Sequence, residues 1–117
     1  MNLFDQGAIV FADFDIPGQG KKEHPCIVIS DIETQKNENF IICLMLTSNG
    51  RKDQFSFNIE KSMLTVPINN KENSQVRLHL VHTIHVKDVS DSFGKSKLKL
   101  KELKNLLKAF NKIVLNN

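Results

Sequence analysis

Two hydrophobic periods divide this chain, and the switch between them constrains the fold more than any single motif. Up to about residue 86 the apolar residues fall in short runs bounded by turn formers; from about Lys99 they recur at helical spacing. Gly7-Ala8-Ile9-Val10-Phe11-Ala12-Asp13-Phe14-Asp15 reads as a strand, as does His24-Pro25-Cys26-Ile27-Val28-Ile29-Ser30. A third run, Phe40 to Leu46, stops at Thr47-Ser48-Asn49-Gly50. Gln54 to Ile59 alternates, with Phe55, Phe57 and Ile59 on one face and Gln54, Ser56 and Asn58 on the other. Gln75 to Leu80 alternates again: Val76, Leu78 and Leu80 form an apolar face, which sends Gln75, Arg77 and His79 to the opposite one. His82 to Val86 reads as a last short strand. In the C-terminal segment Leu103, Leu106, Leu107, Phe110 and Val114 share a helical stripe, with Lys101, Lys104, Lys108 and Lys112 outside it. No strong N-cap precedes this helix, so its start is fixed only to within a turn.

The connections are polar: Pro17 to Glu23, rich in glycine; Pro67 to Ser74; and Ser90 to Lys97, with Gly94 as a hinge. Short strands followed by a single terminal helix predict a mainly β chain with α, folded as a small antiparallel barrel or sandwich. At 117 residues the expectation is one domain with one modest core. No apolar run approaches a membrane span, and Met1 to Asp5 carries no secretory signal, so the expected location is cytoplasmic and no membrane partner is expected. Cys26 and Cys43 lie inside apolar strand patterns and read as reduced core thiols. A net charge of +3 is compatible with a nucleic-acid ligand without demanding one, and the lysines after Lys87 read first as a solvated helix face.

Loops at the ends of buried strands present groups to solvent from a rigid frame, and here His24-Pro25 and Thr47-Ser48 both stand at strand ends. The opening Gly7-Ala8-Ile9-Val10 with Asp13-Phe14, the step into an apolar strand at His24-Pro25 that ends in Ser30, and the third strand ending in Thr47-Ser48 together resemble the PemK/MazF family of bacterial toxins. The similarity runs in order from Gln6 to Leu115. It implies an SH3-like barrel with a C-terminal helix. It also implies the toxin of a type II toxin–antitoxin pair: a metal-independent endoribonuclease, without cofactor, that cleaves single-stranded RNA, chiefly mRNA, by attack of a 2′-hydroxyl. The expected partners are a second copy of the chain and a small antitoxin whose disordered tail covers the RNA groove. A related fold, the CcdB family, poisons gyrase by contact, so a non-catalytic protein or RNA binder is the alternative.

Metal-free cleavage of RNA needs a base for the 2′-hydroxyl, a cation or donor for the phosphate and an acid for the leaving 5′-oxygen. The resemblance assigns Thr47 and Arg77 to this machinery. Arg77 is one of two arginines in a lysine-rich chain, and a guanidinium can grip phosphate through two parallel bonds. His24 stands where the family has Arg. It either stabilises charge or donates a proton, or else it marks weakened activity; as an ordinary pre-proline residue it would be extended whatever its role. His79 stands where some members have Asp, either as a base or acid or as a polar rim residue; a neighbouring Arg77 would favour its neutral form. Ser48, Asn49, Arg51, Lys52 and Gln75 are the expected RNA contacts. His79, His82 and His85 are regularly spaced, but strand alternation sends His82 away from the other two, against a shared metal ion. The loop from Pro17 to Glu23 looks mobile, and in this family it approaches both RNA and antitoxin.

Overall fold

The computed structural model describes residues 3–47, 52–66, 74–90 and 96–116. Six strands, β1 (Ile9–Ile16), β2 (Gly20–Val28), β3 (Phe40–Thr47), β4 (Ser56–Ile59), β5 (Ser74–His85) and β6 (Val89–Ser90), form one sheet in the order β4-β5-β3-β2-β1-β6. Every pairing is antiparallel. Two helices accompany the sheet, α1 (Ile32–Glu38) and α2 (Leu100–Val114).

The ends of the sheet are drawn together by residues 96–99. On one side Ile9 donates to the Ser96 carbonyl and Leu98 to that of Gly7; on the other Thr65 donates to Lys97 and Lys99 to Met63. Ala8↔Lys97 and Leu64↔Leu98 are the corresponding antiparallel bridges. The sheet therefore curls into a small barrel-like form, which meets the expectation of a mainly β fold with a C-terminal helix.

Its two faces carry different cores. One face buries Ile9, Ile27, Leu44, Leu46, Ile59, Val76 and Leu78 against Leu103 and Leu106 of α2, with Leu107, Phe110 and Val114 at the margin. The other buries Val10, Ala12, Phe14, Cys26, Val28, Ile41 and Cys43 under Phe4. Fully burying a Leu or Ile side chain stabilises by roughly 1.5–3 kcal/mol, so α2 is held chiefly by the Leu103–Leu106 stripe that its 3.6-residue period creates. Helix α2 begins after Lys99, which makes no side-chain cap bond.

Helix α1 has no counterpart in the hydrophobic pattern. Its signals are local: the Asp31 carboxylate accepts from the Thr34 N–H, and Asn39 closes the helix in the left-handed region at φ 61°. The cap bond also lowers the Asp31 pKa. The buried Gln35 side chain accepts from the Phe4 N–H (2.8 Å) and donates to the Phe4 carbonyl (2.6 Å), which pins Phe4 over the second core. Cys26 and Cys43 are both buried and free within that core, and their contact together with burial pushes the Cys26 thiol pKa up.

Three expectations change. Pro17 to Glu23 is mostly strand: Gly20 to Glu23 belong to β2, and only Pro17-Gly18-Gln19 turn. Gly18 and Gly20 take φ of 79° and 74°, which only glycine adopts cheaply, so the hairpin closes tightly. Lys21, Lys22 and Glu23 are exposed, so no burial pattern marks this part of the strand. Gln54 and Phe55 lie in the turn before β4. Residues 75–80 and 82–86 belong largely to one strand, β5, whose register against β3 shifts between Leu44↔Val81 and Leu46↔Val76. That irregularity breaks the alternation: Val76 and Leu78 are buried, but Leu80 is 49% exposed. The expected loop over 67–73 and the hinge at Gly94 lie outside the described residues.

Candidate functional site

In an antiparallel sheet, residues directly opposite share a face and residues two apart along a strand share it too. Thr47 is opposite Gln75, Gln75 is opposite Asn58, and Arg77 is opposite Ser56. Cys26 is opposite Met45, and His24, two residues before Cys26 and opposite Ala12, lies on the same face as both. His24, Thr47, Gln75 and Arg77 therefore share one face of the sheet, the one turned away from α2. The sequence places them on β2, β3 and β5, and the strand order β5-β3-β2 makes those strands consecutive. Along β3 this face runs from buried Ile41 and Cys43 to half-buried Met45 and Thr47. Its polar end grows out of an apolar floor.

Arg77 is the best-defined member. Its guanidinium makes two parallel bonds to the Asp53 carboxylate, Nη1 to Oδ1 and Nη2 to Oδ2, each 3.0 Å. The Arg77 side chain is only 12% exposed and that of Asp53 35%. Sequence reasoning missed Asp53. Its signal was an acidic residue just before the alternating segment that opposes the arginine strand, and only the β4–β5 register makes that proximity visible.

His24 is half buried, its Nε2 is buried, and that atom has no hydrogen-bond partner. Its ring lies edge-on to Phe14, with centroids 6.2 Å apart. Phe14 also meets His82 edge-on at 4.7 Å. Phe14 thus contacts two imidazoles, and burial holds the His82 pKa below its ordinary value. His82 faces the same way as Cys43, its opposite residue, whereas His85 is opposite Phe40 on the other face and packs against it at 5.2 Å.

His79 lies in the irregular part of β5. It is exposed and rests on the Phe55 ring at 4.2 Å. The β3–β5 register shifts between Val76 and Val81, and His79 lies within that interval. Lys52 is exposed, one residue before Asp53. Ser48, Asn49 and Arg51 lie outside the described residues. Gln75 is buried at 6% exposure, a polar side chain set into the floor of this face. Among the described residues no group of three or more His, Cys, Asp or Glu side chains is arranged to hold a metal ion, and no helix is long and apolar enough to cross a membrane.

Comparison with known proteins places this arrangement in context. A sequence model described as the PemK-like, MazF-like toxin of type II toxin–antitoxin systems matches residues 5–114. No curated protein sequence matches the chain. Among solved structures, the chain is similar to a MazE–MazF structure from Deinococcus radiodurans, with a TM-score of 0.73 and 12% identity over 97% of each chain. It is similar to an endoribonuclease from a mycobacterial species, with a TM-score of 0.71 and 12% identity over 99% of this chain and 94% of that one. Mycobacterium tuberculosis toxin MazF-mt6 superposes with a TM-score of 0.63 and 16% identity over 90% and 93% of the two chains. At such identities the superpositions speak for the fold alone.

Proposed function

This chain belongs to the PemK-like, MazF-like toxins of type II toxin–antitoxin systems, and from that premise we propose that it is a metal-independent endoribonuclease acting on single-stranded RNA, chiefly mRNA. The observation that carries the proposal is the shared sheet face of His24, Thr47, Gln75 and Arg77. A 2′-oxygen attacks phosphorus, the P–O5′ bond breaks, and a 2′,3′-cyclic phosphate forms. Arg77 and the Thr47 hydroxyl steady the phosphate charge. One proton leaves the 2′-hydroxyl and another reaches the 5′-oxygen; His24 and His79 are the imidazoles assigned to these transfers. The buried, unpartnered Nε2 of His24 supports a role for it, since leaving such an atom unsatisfied costs about 1–3 kcal/mol. Gln75 and Lys52, with Ser48, Asn49 and Arg51, contact the RNA.

The active form is a cytoplasmic homodimer. Phe40, Leu80 and Val81, on neighbouring strands β3 and β5, are 37%, 49% and 41% exposed, apolar side chains that a second copy would cover. The inhibitor is a cognate antitoxin, the kind of partner present in a mycobacterial endoribonuclease solved in complex with its cognate antitoxin.

Purified protein incubated with long single-stranded RNA in EDTA is expected to yield discrete fragments. Their 5′ ends, once sequenced, give the recognition motif. Intact RNA would refute the nuclease reading in favour of a CcdB-like mode of action by contact.

A further inference from the structure

We propose that Asp53 is a positioning residue of this RNA site: it fixes the orientation of the Arg77 guanidinium and offsets its charge. This rests on the nuclease reading of the same face. An arginine side chain only 12% exposed has left most of its water, and a charge so placed needs a counter-charge. Asp53 supplies it through two parallel 3.0 Å bonds, a geometry that fixes the guanidinium plane as well as its position.

Asp53 is itself held in place. Its N–H donates to Ser56 Oγ (2.8 Å), and Ser56 Oγ donates back to the Asp53 carbonyl (2.7 Å). The Ser56 N–H donates to that same carbonyl (3.2 Å), and the Phe55 N–H donates to Asp53 Oδ1 (2.9 Å). Ser56 in turn is the cross-strand partner of Arg77. The turn and the strand register together bring the carboxylate against the guanidinium, so the Arg77 rotamer is set before any ligand arrives.

The turn role and the charge role of Asp53 can be separated. In Asp53→Asn the Oδ1 acceptor for Phe55 remains, but an amide N–H₂ replaces the second carboxylate oxygen and meets Arg77 donor to donor. In Asp53→Ala both roles are lost. Under single-turnover conditions Asp53→Asn is expected to cut kcat by on the order of 100-fold, the usual effect of misplacing a positioned group. KM should not rise, because the site gains net positive charge. For the same reason, the salt dependence of binding to a short single-stranded RNA should steepen by about 0.7 in log–log slope. In the parent protein, ¹⁵N spectra of the Arg77 Nη groups should show slowed rotation that Asp53→Asn releases.

Parental kcat in folded Asp53→Asn would overturn the proposal, as would a loss that tracks the unfolded fraction equally in the Asn and Ala variants. Freely rotating Arg77 Nη groups in the parent would overturn it without any variant. If the parent cleaves no RNA, the nuclease reading falls; the positioning claim then stands or falls on the guanidinium spectra and the salt slope, which a turn-only role would leave unmoved.

Discussion

Arg77→Ala separates catalysis from folding, because the structure sets different magnitudes for the two. On the catalytic side the change deletes the preorganised cation, whose N–H groups not bonded to Asp53 are the donors to the phosphate. Removing one preorganised donor to developing charge typically costs 10²–10³-fold in kcat, roughly 2.7–4 kcal/mol. On the folding side it deletes the partner of Asp53, whose side chain is 35% exposed and so rehydrates readily. With one partner largely desolvated and the other a third exposed, the loss lies between that of an exposed pair and that of a buried one, about 2 kcal/mol, or a fall of roughly 8 °C in Tm for a chain of this size. Starting even from the lower end of ordinary stability, about 5 kcal/mol, the variant stays more than about 99% folded at 25 °C, so unfolding cannot account for a hundredfold loss. The assay is single-turnover cleavage of a long RNA in EDTA beside a thermal melt of the same sample. Arg77→Lys, which keeps charge but not the fork, should fall between parent and Ala. Parental cleavage by soluble, folded Arg77→Ala would refute the assignment, and so would an activity loss no larger than the unfolded fraction.

The remaining predictions concern titration and assembly. His24→Arg should keep cleavage near the parental rate if His24 acts as a cation and slow it if His24 donates a proton; single-turnover cleavage of folded variant beside parent checks this, and parental cleavage by folded His24→Ala would exclude both roles. Burial places the folded pKa of His82 below its unfolded value of 6.5, so its neutral form contributes stability in full above pH 6.5 and loses it as pH falls through the lowered value. Urea midpoints should therefore drop on acidification more steeply in the parent than in His82→Gln, and equal slopes would refute this. Light scattering at micromolar concentration and modest salt should report a dimer that Leu80→Asp or Val81→Asp splits; a monomeric parent would contradict the homodimer.

The parts of this fold legible in the sequence were those where burial is dense or follows a period. β1, the apolar half of β2 and β3 bury side chains on both faces and so read as short apolar runs, whereas α2 buries one stripe at helical spacing. Helix α1 escaped because its seven residues bury only Gln35, a polar side chain whose value lies in two bonds to Phe4. The outer half of β2 escaped because Lys21, Lys22 and Glu23 are exposed on both sides of the strand. Alternation on β5 held through Leu78 and failed at Leu80, where the register shift intervenes; such a shift depends on what the neighbouring strand does. In the candidate site, the resemblance to the PemK/MazF toxins pointed to His24, Thr47 and Arg77, with strand-end position supporting the first two. Asp53 was invisible because its significance is a long-range pairing, and the Phe14 contacts with His24 and His82 join three strands that no local pattern connects.

The closure of the sheet by residues 96–99 has a consequence for how this protein is made. Those residues bond to Gly7 and Ile9 on one side and to Met63 and Thr65 on the other, and Lys97 reaches Asp5 across a sequence separation of 92. A ribosome releases the chain from its N-terminus, so β1 to β5 emerge before the segment that joins their two ends. Contacts of such long sequence separation form slowly, since loop-closure entropy is lost before they give anything back. The face that carries Thr47 and Arg77 is thus assembled on an open, incompletely buried sheet until the last fifth of the chain arrives. A nascent chain stalled before residue 96 should be protease-sensitive and inert, and one extended through α2 should be neither.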